Sequence, residues 1–501
     1  MVNRTTPTKP TADQIPHAVL GNVYLLKKGG FDAYLVGGCV RDLMIGRTPK
    51  DWDICTNAKP EQIQALFPET FYENTFGTVT VKNKEEAVGS GSELVEVTPY
   101  RLEGEYSDGR RPDEVNFNAT LKDDLARRDF TINALAFDPI GDVLVDEYNG
   151  VGDMWDGIIR TVGEPAARFG EDKLRMIRAV RFAAQLDFDI EQKTLETIRD
   201  KANEVKGVSA ERIRDEFSKL LMSDNIEYGM QALLSTGLLE YFIPELVTCV
   251  GVTQNQAHAF DVWTHSIKSA QHAAAKNTSL ELRLATLFHD IGKPATRAEG
   301  LGKNHVISFY GHDVVGAKMT KKILERLKYP EHIIKKVVTL IRWHMFFADT
   351  EQVTLSAVRR IVAQVGEENI WDLMTVRHCD RIGTGRPKEN PYRLRKYQAM
   401  VEQVLRDPIS LSQLAVDGND LQKDAGIPAG PKIGWILHAL FADVLAKPED
   451  NVREALIARA KELVTLSDKE LRDLGEKGKL SKETLDEEAV KEILEKYGVG
   501  E

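Results

Sequence analysis

The sequence predicts an α+β chain, with a short α/β region in front and helix over the remaining two thirds. From Phe31 to about Asp146, β-rich runs (AYLVGG, GTVTV, LVEVTPY, VLVDEY) alternate with glycine turns. From about Gly163 onward strands are hard to find, and segments such as LRMIRAVRFAAQL, ERIRDEFSKLLM and IGWILHALFADVL carry apolar residues at helical spacing. A chain of 501 residues with 42% hydrophobic and 29% charged content exceeds one compact core and is too apolar for disorder, so three or more helix-rich units are expected.

Composition narrows the classes further. No apolar run approaches the roughly 18 to 20 residues that cross a bilayer, and the Thr/Pro/Lys-rich stretch Met1 to Pro16 lacks the apolar segment of a signal peptide. A cytoplasmic protein without membrane contact is expected. Cys39, Cys55, Cys249 and Cys379 stand far apart with no CxxC, which argues against disulfides and a cysteine zinc site. With 66 basic and 77 acidic residues the net charge is −11, so any RNA contact must come from local patches. The acidic stretch Lys461 to Glu501 reads as a solvated helical appendage.

The first chemistry-bearing stretch is LVGGCVRDLMIGRTPKDWDI, Leu35 to Ile54. A strand ending at Gly37-Gly38 and turning into a helix start lets backbone amides approach a triphosphate, with Arg41 adding charge. Asp51 and Asp53 flank Trp52 on an expected strand, where period-2 geometry points both carboxylates to one face. Such a pair can hold Mg²⁺; an isolated D-x-D is usually a solvated pair beside a turn, and the upstream GG-x-x-RD reverses those odds. Glu96, on the alternating strand Glu93 to Arg101, either adds a third carboxylate to that face or is a surface glutamate. In Arg127-Arg128-Asp129-Phe130-Thr131-Ile132-Asn133, two arginines, an aspartate and an asparagine suit a ribose and a phosphate, or a capped helix start.

Glu171 to Arg181 reads as helix, with Leu174, Ile177 and Val180 as its buried stripe. Arg178 and Arg181 drift toward that apolar side and so want an anion. Asp172 and Arg175, three apart, could be an exposed ion pair of about 0.2 to 0.5 kcal/mol. They also match the Watson–Crick edge of cytosine or adenine, an aspartate accepting from the exocyclic amino group beside an arginine donating to ring acceptors. Uracil would leave polar groups mismatched at about 1 to 3 kcal/mol each.

Taken in order from Ala33 to Leu221, LVGGCVRD, KDWDICTNA, VEVTPYRLEGEYSDGRRPDEVNF, RRDFTINALA, EDKLRMIRAVRF and ERIRDEFSKLL resemble the class II tRNA nucleotidyltransferases, the CCA-adding enzymes with their poly(A) polymerase relatives. The resemblance implies that Asp51 and Asp53 bind the catalytic Mg²⁺ and that Gly38, Arg41, Arg128, Arg178 and Arg181 hold triphosphate and sugar, with Gly37 and Asp129 beside them. It also implies that Asp172 and Arg175 act as a protein template. The loop Glu103 to Glu114, with Asp108, Gly109, Arg110 and Arg111, would help the site switch from CTP to ATP. Helices beyond Gly207, with Arg212, Arg214 and Lys219, are expected to grip phosphates of the tRNA acceptor stem.

Downstream, His289-Asp290 in LATLFHDIGKP ends an apolar helix, where adjacent histidine and aspartate can share a metal ion. Each histidine alone reads more readily as structural. Together with His265 (VWTHS), His312 (FYGHDVVGA), His344 (IRWHM) and Asp380 (RHCDRIG), the pair resembles the HD superfamily of metal-dependent phosphohydrolases. That resemblance implies one or two divalent metals of unspecified identity, with a bound water attacking a phosphate ester. Lys293 would neutralise phosphate charge or simply end a helix.

Both resemblances together imply a disordered tail at 1–16, a nucleotidyltransferase head with a mixed, mostly antiparallel sheet at 17–160 and a helical neck at 161–250. An HD domain at 251–390, a helical C-terminal body at 391–463 and an acidic extension at 464–501 would follow. The implied activity is template-independent addition of C, C and A to the tRNA 3′ end from CTP and ATP, with a second, phosphohydrolase activity open to the HD domain. An A-adding enzyme or a poly(A) polymerase shares the quoted motifs, although the latter would more often bring a basic C-terminal extension and no HD site. From another class, the chain could be mainly an HD nucleotide phosphohydrolase, which the intact carboxylates and arginines of the head speak against.

Overall fold

Helix α1 (His17–Lys28) packs Val19, Val23 and Leu26 into the interior beside strand β1 (Ala33–Val36). The computed structural model describes residues 6–72, 77–83, 92–103, 115–254, 259–299, 307–346, 353–405 and 414–498. The chain divides into two units, residues 1–342 with 379–386, and residues 343–378 with 387–501.

In the first unit β1 turns through Gly37 into α2 (Gly38–Met44), then β2 (Trp52–Thr56), α3 (Pro60–Leu66), β3 (Thr70–Tyr72), β4 (Val79–Lys82) and β5 (Leu94–Pro99) follow. The short strands β6 (Leu102–Glu103) and β7 (Val115–Asn116) pair with each other, and α4 (Leu121–Ala126) leads to β8 (Leu135–Asp138) and β9 (Val143–Asp146). The seven-stranded sheet has the order β3-β4-β5-β2-β1-β8-β9. Only its β2–β5 pairing is parallel, so the sheet is mixed and mostly antiparallel, as the resemblance implies. Alternation puts Leu35, Ile54, Val79, Val81, Val95, Val97 and Phe137 in the core, a face that β-branched and aromatic residues fill well.

The tail expected to be disordered at 1–16 is ordered over its described part, residues 6–16. The Thr8 amide donates to the Met44 carbonyl at 2.9 Å, Lys9 pairs with Asp142 at 2.6 Å and Ile15 is buried. Its backbone hydrogen bond and its apolar anchor outweigh its polar composition.

After α5 (Gly150–Asp156), α6 (Pro165–Glu171) and α7 (Leu174–Leu186) comes the helical part of the unit, α8 (Gln192–Lys201) and α9 (Ala210–Leu221). Next are α10 (Ile226–Ser235), α11 (Leu239–Phe242), α12 (Pro244–Val247), α13 (Val262–Ala275), α14 (Leu280–Phe288), α15 (Lys293–Thr296), α16 (His312–Arg326) and α17 (Glu331–Trp343). The expected stripe of Leu174, Ile177 and Val180 is buried, and so are Met176, Ala179 and Ala183, because α9 and α10 cover further sides of α7. Arg283 of α14 donates to the carbonyls of Leu221 and Ser223, both at 2.8 Å, tying α14 to the end of α9.

The second unit holds α18 (Leu355–Val365), the first part of α19 (Ile370–Gly383), α20 (Tyr392–Leu405), α21 (Gly418–Asp424), α22 (Pro431–Ala446), α23 (Arg453–Leu463) and α24 (Asp468–Tyr497). The expectation of a solvated appendage at the C-terminus is corrected here. Helix α24 packs along α22, with Leu471 and Ile493 buried, and a Cβ at Gly475 would stand 2.8 Å from the Trp435 backbone. Net charge said nothing about the small and apolar residues on its inner face. Among the described residues no helix is long and apolar enough to cross a membrane.

Candidate active site and metal centre

The head site starts from the turn at Gly37, whose φ of 76° is a left-handed conformation that favours glycine. A Cβ there would lie 2.7 Å from Arg128 Nη1, so the missing side chain makes room for that guanidinium. Because β2 and β5 run parallel with Asp53 opposite Glu96, the two side chains leave the same face of the sheet. Asp51 precedes β2 and is exposed, and Asp53 is half-buried. Burial pushes the Asp53 carboxyl up to about 6, Glu96 and Asp51 add to the rise, and Arg128 opposes it. The four cysteines are free and buried, as expected of structural thiols.

Around this turn the arginines are held by buried acids. Asp124 takes Arg127 Nη2 at 2.6 Å and Arg128 Nη2 at 3.1 Å; burial works to raise its carboxyl, but the two guanidiniums hold it below the usual range. Arg41 Nη1 donates to Asn133 Oδ1 at 2.7 Å, Asn133 donates to Asp129 at 3.0 Å, and Arg178 donates to Asp129 Oδ2 at 2.7 Å. Arg178 also reaches Glu216 at 3.1 Å, and Arg181 reaches Glu216 at 2.8 Å. The guanidinium carbons of Arg41, Arg178 and Arg181 lie 5.0, 5.4 and 3.4 Å from the Phe182 ring centre. The anions that Arg178 and Arg181 want are therefore Asp129 and Glu216 of the protein itself.

Sequence reasoning missed Asp124 and Glu216. The signal for Glu216 lay in its phase: it follows Ile213 by three residues and precedes Leu220 by four, both buried, which places it on the inner face of α9.

Asp172 and Arg175 do not pair with each other. Asp172 ends α6 and accepts both terminal nitrogens of Arg212, at 3.1 and 2.7 Å, whereas Arg175 donates to Glu171 at 2.6 Å and to the Arg127 carbonyl at 3.0 Å. Arg212, expected to grip RNA phosphates, is thus engaged inward. Arg214 also donates to a backbone carbonyl, that of Lys328, at 2.6 Å, while Lys219 is exposed. Asp108, Gly109, Arg110 and Arg111 lie outside the described residues.

Farther along the same unit, His265 of α13, His289 and Asp290 at the end of α14, His312 at the start of α16 and Asp380 of α19 are all buried. His265 Nε2 lies 2.9 Å from His289 Nε2, 3.1 Å from Asp290 Oδ2 and 3.2 Å from Asp380 Oδ1. His289 Nε2 is 3.2 Å from Asp290 and 3.6 Å from Asp380. His289 Nδ1 sits 2.8 Å from the Thr286 carbonyl, which assigns the proton to Nδ1 and leaves the Nε2 lone pair facing the cluster.

Metal bonds of about 2.1 Å give donor–donor edges of roughly 3.0 to 3.4 Å, so the ligand atoms of His265, His289 and Asp290 are spaced as neighbours around one divalent ion, with Asp380 Oδ1 beside both histidines. Burial works against charge on His289, but Asp290 and Asp380 override it and push the imidazole up to about 10, the mark of a spot that favours a cation. His312 Nε2 is 3.3 Å from Asp290 Oδ1, and Lys293 Nζ donates to Asp290 and to Gln254, both at 2.6 Å. His344 belongs to the second unit and is buried.

Three family models match the chain: Poly A polymerase head domain over residues 33–160, Probable RNA and SrmB- binding site of polymerase A over 187–249, and HD domain over 262–384. A CCA-adding enzyme of Lactobacillus helveticus is 47% identical over 216 residues, 43% of this chain and 52% of that protein. A CCA-adding enzyme of Lactiplantibacillus plantarum is 31% identical over 86% of this chain and 92% of its own length. Among solved structures, the Bacillus stearothermophilus CCA-adding enzyme in complex with CTP is similar with a TM-score of 0.58 and 29% identity, covering 89% of this chain and 98% of that one. The Geobacillus kaustophilus CCA-adding enzyme is 34% identical over 90% of this chain and 96% of its own length, and with that span matched the chain belongs to the CCA-adding enzymes.

Proposed function

We propose that the protein adds C, C and A to the 3′ end of tRNA from CTP and ATP, without a nucleic-acid template. The observation that carries this reading is the register of Asp53 beside Glu96 on the parallel β2–β5 pair, next to a glycine turn that leaves room for Arg128. The carboxylate crowding around Asp53 suits a divalent cation, and all-oxygen donors suit Mg²⁺, held by Asp51 and Asp53. When bound, that ion activates the attacking 3′ hydroxyl and neutralises charge at the phosphorus.

The chain's own residues do the rest. Gly37 and Gly38 bring backbone close to the triphosphate, and Arg41, Arg128, Arg178 and Arg181 place positive charge around phosphates and ribose. Asp129 orients Arg178, which donates to it through Nε at 2.9 Å as well as Nη2 at 2.7 Å. Asp172 accepts from the exocyclic amino group of cytosine or adenine and Arg175 donates to the ring, so bases are selected by protein hydrogen bonds. The loop with Asp108, Gly109, Arg110 and Arg111 switches the site between CTP and ATP. The acceptor stem is gripped by shape along the segment matched by the RNA-binding model.

A second, hydrolytic activity on phosphate esters is favoured by the buried donor set. His265, His289, Asp290 and Asp380 would hold one divalent ion, His312 stands beside Asp290, and Lys293 is placed to meet phosphate charge.

The test offers the protein tRNA transcripts ending at the discriminator base, at C-C and at C-C-A, with Mg²⁺ and CTP, ATP or both, and resolves products to single nucleotides. Addition of C, C and A followed by a stop is the expected result. A alone on the C-C transcript would make it an A-adding enzyme, long A tails a poly(A) polymerase, and no extension would shift the function to the HD cluster.

A further inference from the structure

The base-contacting carboxylate is already committed on both oxygens. Asp172 Oδ1 accepts from the Leu174 amide at 3.1 Å and from Arg212 Nη1 at 3.1 Å, and Oδ2 accepts from Arg212 Nη2 at 2.7 Å. A carboxylate has about four lone-pair directions, so three acceptances leave one, on Oδ2. Arg212 comes from α9, and its planar two-pronged contact fixes the rotation of the Asp172 carboxylate in a way a point charge cannot. The pair is mostly shielded, with side-chain exposures of 24% and 14%. One turn farther along α9, Glu216 accepts from Arg178 and Arg181, so one face of α9 holds both Asp172 and the arginines of α7.

We infer that Arg212 is a positioning residue for base selection: by fixing Asp172 through both oxygens, it aims the one remaining lone pair at the amino group of an incoming cytosine or adenine. This rests on the reading of Asp172 as the base-contacting carboxylate. An amino donor gains a hydrogen bond from that fixed lone pair. The O4 acceptor of uracil gains nothing from it, so loosening the carboxylate harms CTP and ATP and leaves UTP where it was.

The experiment compares Arg212→Ala, Arg212→Lys and the unchanged protein in single-nucleotide extension with CTP, ATP and UTP. In Arg212→Ala, KM for CTP and ATP should rise about tenfold with a smaller change in kcat, so the CTP over UTP preference falls by about the same factor. Arg212→Lys, which keeps the charge and removes the fork, should lose the preference as well; it also serves if Arg212→Ala does not fold. An equal loss for all three nucleotides, or full rescue by lysine, would overturn the inference. Asp172→Ala separates the two layers. If it leaves the CTP over UTP preference intact, the reading of Asp172 itself fails, and if it abolishes the preference while Arg212→Ala does not, only the role of Arg212 fails.

Discussion

In the head, Asp53 and Glu96 stand side by side on neighbouring strands with Asp51 exposed ahead of them, whereas in the HD cluster two histidines and two aspartates converge from helix ends in full burial. The first arrangement offers only oxygens and stays open on one side, which fits an ion that arrives with a nucleotide's phosphates. The second mixes nitrogen and oxygen donors at coordination spacing, which fits an ion that stays. A sheet supplies the open type because register alone aligns carboxylates. Packed helices supply the closed type because residues distant in sequence must meet at one point.

The comparison breaks most sharply at Asp53. Asp53→Ala should lower tRNA extension on the order of 10³-fold, since a metal-bound charge is worth several kcal/mol in the transition state. Phosphate-ester hydrolysis by the same variant should persist, and its loss would mean that the two sites are not separate.

Next in size is Glu216, the buried anion shared by Arg178 and Arg181. Glu216→Ala leaves the buried Arg181 guanidinium without its acidic partner, while Arg178 keeps Asp129, and should cost about 3 kcal/mol in urea unfolding. Glu216→Gln, which can still accept from Arg181, should cost less.

At the closed site, His289→Ala should weaken Mn²⁺ or Zn²⁺ retention in equilibrium dialysis by about 10²-fold or more. Extension in Mg²⁺ should survive that change. A parallel loss of extension would erase the distinction between an exchanging and a resident ion.

The smallest effect concerns acid. Arg127 and Arg128 hold Asp124 below the usual carboxylate range, and Arg178 with Asn133 holds Asp129 well below it, in both cases against the upward push of burial. Groups depressed in the folded state contribute stability that is present above the unfolded carboxylate value of about 4 and is lost as pH falls through the folded one. Unfolding free energy should therefore drop below about pH 4. The drop should be shallower in Asp129→Asn, and an identical acid limb would show that Asp129 is not part of it.

Much of this was legible from local spacing. The Gly37–Asp53 stretch and the β-rich character of the head follow from runs only a few residues long, the mostly antiparallel order of its sheet came with the family resemblance, and the clustered histidines were marked by their order along helical segments. What was illegible depends on contacts between distant segments. The arginines of α7 visibly lacked an anion, yet only the docking of α9 shows it to be Glu216, which lies 38 residues beyond Arg178. The same docking gives Asp172 to Arg212, 40 residues away, where periodicity had offered Arg175. At the C-terminus, composition reported the charges of α24 and concealed Leu471 and Gly475, which bring it against α22.

Gly37 carries a consequence for how this protein can evolve. Any side chain there meets a left-handed backbone that costs an L-residue about 1 to 2 kcal/mol, and a Cβ would stand 2.7 Å from Arg128 Nη1. The turn and the arginine are therefore epistatic. Replacing Gly37 is harmful while Arg128 stays in place, and vacating Arg128 first removes a partner of the buried Asp124 and the charge that opposes the carboxylates around Asp53, so neither order of change gives a neutral path.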